Sequence, residues 1–152
     1  MNVTANKSAS AVHLPTPEER PDADVVIYDG DCRFCTAGVR RITWFDRSGR
    51  VAFLSLHDPR VAEKYDDLTH EQLMEEMYVI DRHGNRHAGA AGFRYLTRRL
   101  PALWILAPLM HIPFSMPLWR WAYRQIARRR YLFGKNKKDD GCDGGTCHLH
   151  YD

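Results

Sequence analysis

Asp24-Val25-Val26-Ile27-Tyr28-Asp29-Gly30-Asp31-Cys32-Arg33-Phe34-Cys35 decides the reading of this chain. Val25 to Tyr28 is a short, continuous apolar run rich in β-branched residues, the pattern of a buried strand. Asp29-Gly30-Asp31 then supplies turn chemistry. From Cys32 onward Cys35, Val39, Ile42 and Phe45 recur at three- and four-residue intervals. Arg33, Arg40, Arg41 and Arg47 fall elsewhere around the same circumference, so an amphipathic helix is expected to run as far as Ser48-Gly49. A buried strand therefore ends in a turn that opens a helix with Cys-x-x-Cys.

Working outward, Val51 to Leu56 is a second apolar run of strand length, and Asp58-Pro59 places a capping side chain before proline at the first helical position. A short helix through Val61 to Tyr65 is expected. Thr69-His70-Glu71-Gln72 matches a capping box, so a further helical turn precedes a third strand, Met77 to Ile80. Asp81 to Asn85 reads as a hairpin turn into a short fourth strand, Arg86 to Ala88, and Ala90-Ala91 with Phe93 to Leu100 continues as helix. This order predicts an α/β fold: a mixed sheet of about four strands flanked by helices, with an added C-terminal helical segment. The expected organisation is a flexible lead-in over 1–22, one domain over 23–134, and a flexible Cys- and His-containing tail over 135–152.

The chain has 152 residues, 44% of them hydrophobic and 27% charged, enough for one core and one domain. Its four cysteines form two close pairs, Cys32/Cys35 and Cys142/Cys147, unlike a disulfide-stapled secreted scaffold. Met1 to Asp24 has no apolar run of the kind a secretory signal needs, so a cytoplasmic location is expected. There any Cys32/Cys35 disulfide is transient.

Cys-x-x-Cys also serves in zinc knuckles and soft-metal chaperones, and it is sometimes an inert thiol pair. Its position between strand and helix favours redox use, as in a thioredoxin-like motif. A cysteine near a helix N-terminus gains from the dipole and unpaired N–H groups, which favour thiolate; Arg33 adds to this, whereas Asp29 and Asp31 oppose it if ionised. Cys35, one turn deeper on the apolar face, is in reach of a mixed disulfide formed at Cys32. These roles make Cys32 the nucleophile and Cys35 the resolver, with Asp29, at the end of a buried strand, as proton acceptor.

The run Val26 to Cys35 resembles the hallmark of the DCC family, predicted thiol-disulfide oxidoreductases with a D-x-x-C-x-x-C signature whose three positions are filled by Asp29, Cys32 and Cys35. The resemblance extends to Gly89-Ala90-Ala91 and to the aromatic, Arg-rich segment Trp119 to Arg130, so it covers about Asp24 to Gly134. It implies a thioredoxin-like fold and dithiol chemistry on protein or small-molecule thiols and disulfides, reset by an unidentified reductant or oxidant, with no cofactor. Thioredoxins set a proline before the third strand, facing the dithiol; this chain has Glu76-Met77 there.

Two non-enzymatic readings stand beside this one: binding or delivery of a soft metal such as Zn or Cu by Cys32/Cys35, and a peripheral membrane adaptor built on the Trp- and Arg-rich C-terminal region. Cys142, Cys147, His148 and His150 allow zinc, a second dithiol, or a plain tail. Ala102 to Trp119 holds 18 residues without formal charge, interrupted by Pro108, Pro113 and Pro117. The prolines argue against a membrane span, and a buried helical hairpin is expected, with peripheral contact as the alternative. Met1 to Asp81 carries 9 basic and 15 acidic residues, whereas Arg82 to Lys138 carries 13 basic and none acidic. Arg120, Arg124 and Arg128 form one stripe, read as a solvated face or a headgroup contact, and no nucleic-acid motif accompanies it. His57, His70, His83 and His87 have no assigned role.

Overall fold

The computed structural model describes residues 13–133. Among these, four strands form one mixed sheet in the order β2-β1-β3-β4, with β1 at Asp24–Tyr28, β2 at Val51–Ser55, β3 at Tyr78–Ile80 and β4 at Arg86–Ala88. β1 runs parallel to β2, with Val26 opposite Phe53, and antiparallel to β3, with Val26 opposite Val79; β3 and β4 are an antiparallel hairpin.

Alternate side chains of the central strands leave opposite faces of the pleat, which is why β1 reads as unbroken apolar sequence. Val26, Val51, Phe53 and Val79 join Val39 and Ile42 of helix α1 (Arg33–Phe45) and Leu96 of α4 (Gly89–Arg99) in one core. Val25, Ile27, Leu54 and Ile80 join Val61 of α2 (Pro59–Lys64) and Leu73 of α3 (His70–Glu75) in the other. Both short helices carry the expected caps: Asp58 accepts from the Arg60 amide, and Thr69 and Gln72 form the reciprocal capping box. The arrangement is an α/β sandwich consistent with the thioredoxin-like fold.

Two stretches differ from their sequence reading. From residue 13 the lead-in expected to be flexible over 1–22 is tied to the domain: Leu14 packs on the α1/α4 core, and the Pro15 carbonyl accepts from the Phe53 N–H at 2.8 Å. Arg20 donates to buried Asp46 at 2.9 Å and to the Val51 carbonyl at 2.7 Å. Composition alone registers the Pro and Glu content here but not one arginine reaching across to Asp46.

The second difference is the buried hairpin expected over 102–119. A 3-10 turn at Pro101–Leu103, the four-residue α5 (Ala107–Met110) and α6 (Met116–Arg129) replace it, because each proline restarts the chain before a helix has length enough to bury a face. Leu103 and Met110 are buried, but Trp104, Ile105, Leu109 and Phe114 are exposed. Among the described residues no helix is long and apolar enough to cross a membrane. Tail residues Cys142, Cys147, His148 and His150 lie outside the described residues.

Candidate active site

The β1–α1 junction places the two cysteines by backbone geometry. Cys32 is the N-cap of α1, in extended conformation, and its Sγ accepts the Cys35 amide N–H at 3.3 Å. Its own N–H donates to the Asp29 carbonyl at 3.3 Å, closing the turn, and its carbonyl accepts from the Thr36 hydroxyl at 3.0 Å. A sulfur at this position takes the place of the Ser or Asp oxygen that usually caps a helix, facing the positive end of the dipole. Both thiols are free; Cys32 is fully buried and Cys35 partly so.

Asp29, at the end of β1, is 3% exposed. Its Oδ1 accepts from the Asp31 amide at 3.0 Å and meets His57 Nε2 at 3.2 Å. The same nitrogen lies 3.3 Å from Asp31 Oδ2, so one half-exposed imidazole bridges two carboxylates beside the dithiol. α6 is capped at its C-terminus by Arg130, which is buried and whose Nη1 lies 3.9 Å from Cys35 Sγ. A 3-10 turn at Arg130–Phe133 follows and packs on α1.

The Cys35 thiol is pushed up to about 12: burial is the largest cause, followed by its hydrogen bond to Cys32 and the charge there. Arg130 pulls the other way and Asp29 adds to the rise. Across the neutral range Cys35 is therefore a thiol that can donate to the Cys32 sulfur, while Cys32 is the member of the pair with a helix N-terminus and an amide donor to hold negative charge.

The loop before β3 is also engaged by α6. Where thioredoxins place a proline, the Met77 N–H donates to the Tyr123 hydroxyl at 3.0 Å, and burial pushes that phenol up. Between the end of α3 and α6 lies a groove of about 530 Å³ whose walls include Met74, Glu76, Tyr123 and Arg130. Arg130 links the groove to the dithiol, lining the one while its Nη1 lies 3.9 Å from Cys35 Sγ.

Asp29, Cys32 and Cys35 are thus brought together. His57, Tyr123 and Arg130 join them without a signal in the sequence: His57 lies 28 residues from Asp29 and Arg130 lies 95 from Cys35. Arg130 closes the aromatic, Arg-rich segment Trp119 to Arg130, yet unlike the exposed Arg128 of the stripe it is buried. Among the described residues, no group of three or more His, Cys, Asp and Glu side chains gathers around a common metal position.

The family model for DCC1-like thiol-disulfide oxidoreductases matches residues 26–136. No curated protein and no solved structure matches the chain. That match spans the strand, the dithiol turn, both helical layers and the α6 segment that closes over Cys35, and the chain belongs to the DCC1-like thiol-disulfide oxidoreductase family.

Proposed function

We propose that Cys32 and Cys35 cycle between dithiol and disulfide through a mixed disulfide at Cys32. The observation that carries this reading is the Cys32 sulfur at the α1 N-cap, accepting the Cys35 amide beside a thiol that stays protonated. In the reducing direction the Cys32 thiolate attacks a substrate disulfide R–S–S–R′; a bond forms to one sulfur, and R′S⁻ leaves and takes a proton from water. Cys35 then gives its proton to the Asp29 carboxylate and attacks Cys32 Sγ, releasing RS⁻. Two electrons pass to the substrate and the protein is left as the Cys32–Cys35 disulfide, which a dithiol reductant resets.

His57 supports this proton path, because it links the nearly buried Asp29 carboxylate to solvent. Arg130 supports the second attack by favouring the Cys35 thiolate as it forms. Cys32 has no exposed surface, so a substrate reaches it through local opening around the start of α1. The family supports thiol-disulfide substrates at that general level.

The test is covalent trapping with single variants. Cys35→Ser is expected to accumulate a mixed disulfide with a model disulfide substrate, and Cys32→Ser is expected to accumulate none. Equal trapping by both, or trapping by Cys32→Ser alone, removes or reverses the assigned roles.

A further inference from the structure

Among the described residues twelve large apolar side chains are exposed, and eight of these fall between Trp104 and Trp121. They sit on the turn before α5, on α5, on the α5–α6 turn and on the first turns of α6, a region held to the domain chiefly through α4. Ile105 is 86% exposed, Phe114 99% and Trp121 61%. Soluble monomers seldom expose so continuous an apolar stretch without a partner.

Two of these side chains are marked by their backbone surroundings. Trp104 is 58% exposed while its indole N–H donates to the Arg98 carbonyl at 3.1 Å, so its polar edge is satisfied and its apolar face is presented. Phe114 adopts φ 63°, a left-handed conformation that glycine or asparagine takes far more readily than a bulky aromatic. Among the described residues nothing packs on its ring, so none of them offsets the strain by burial.

The charge around the stretch selects the occupant. No carboxylate occurs from Arg82 to Lys138, and exposed Arg98 and Arg120 border the apolar side chains. Trp and Phe flanked by arginine suit the boundary between headgroups and acyl chains of an anionic membrane, where amphipathic rings sit at headgroup level and each cation gains from the surface potential. A protein surface covering this face has no acidic requirement for its apolar centre. A lipid surface supplies both the anionic layer and the apolar depth.

We propose that the Trp104–Trp121 arm is a peripheral docking surface for anionic lipid bilayers, with Trp104, Ile105 and Phe114 entering the interface and Arg98 and Arg120 at the headgroups. α6, whose 14 residues span about 20 Å, begins in this arm and leads into Arg130 beside Cys35. Docking therefore holds the dithiol within about one helix length of the membrane surface. The inference stands apart from the roles assigned to the two cysteines.

Co-sedimentation of the full chain with vesicles of equimolar phosphatidylcholine and phosphatidylglycerol tests it, against vesicles of phosphatidylcholine alone. Binding to the anionic vesicles is expected, falling steeply with salt and weak on the neutral ones. Arg98→Glu with Arg120→Glu is expected to weaken it at least about 25-fold, about fivefold for each lost cation. Trp104→Ser with Phe114→Ser is expected to weaken it about tenfold or more, with thiol alkylation unchanged because both side chains lie outside the dithiol site. No sedimentation with anionic vesicles, or binding by both variants equal to wild type, overturns the proposal. So does a dimer in sedimentation equilibrium that Trp104→Ser with Phe114→Ser dissolves while vesicles fail to bind, since a second copy then covers this face.

Discussion

At the scale of single residues, Cys35 is defined by opposing neighbours. Burial, Cys32 and Asp29 keep it a thiol, and Arg130 at 3.9 Å opposes them. Arg130→Met is therefore expected to lower the Cys35 thiolate fraction about tenfold and to slow mixed-disulfide resolution by the same factor, read by stopped-flow decay of the trapped species. Because the folded value is raised, the folded reduced protein keeps a proton that the unfolded thiol has lost. The stability this contributes is full below the ordinary thiol value of 9.0 and is lost as pH rises towards about 12. Urea midpoints of the reduced protein are expected to fall faster over that window than those of the oxidised protein, a difference that isolates the thiols from the tyrosines. The cysteine pair was legible in sequence because strand, turn and helix signals meet within twelve residues. Arg130 and His57 were not, because proximity across the fold leaves no local pattern.

At the scale of elements, caps and periodicity were legible wherever the chemistry is local. Asp58 and Thr69 start their helices as read, and Arg86–Ala88 forms the fourth strand with the expected bounds. The hairpin before it is held by Asp81, which accepts from the His83 and Asn85 amides and from the Asn85 side chain. Close approach between elements was not legible. Gly92 lies where α4 crosses the hairpin, and a Cβ there would meet the His87 carbonyl oxygen at 2.6 Å and Val79 Cγ2 at 3.1 Å. In an unpacked helix Gly→Ala stabilises by about 1 kcal/mol. Here the backbone contact dominates, and Gly92→Ala is expected to cost about 2 kcal/mol, measured by chemical denaturation.

At the scale of the whole molecule, the acidic first half and basic second half partly answer one another. Arg99 reaches fully buried Asp24 at 2.5 Å, where Tyr95 and the Arg82 amide also donate, and Arg86 reaches Asp67 at 2.7 Å. Asp24→Ala leaves Arg99 facing a buried void and is expected to cost roughly 3 kcal/mol in urea unfolding. The exposed arm at 102–119 escapes a sequence reading for a whole-molecule reason: apolar composition normally means core, and only the way this segment packs on α4, with Leu103 and Met110 turned inward, leaves the other apolar side chains facing outward. The claim on which the rest depends is that Cys32 and Cys35 form one redox couple. The most direct measurement is equilibration of the protein in graded glutathione buffers, followed by acid quenching, alkylation and mass analysis of both cysteines. The account predicts a single two-electron transition in which both thiols disappear together into an intramolecular disulfide. Thiols that stay free at every poise, or a stable glutathione adduct at one cysteine with the other still reduced, would contradict it.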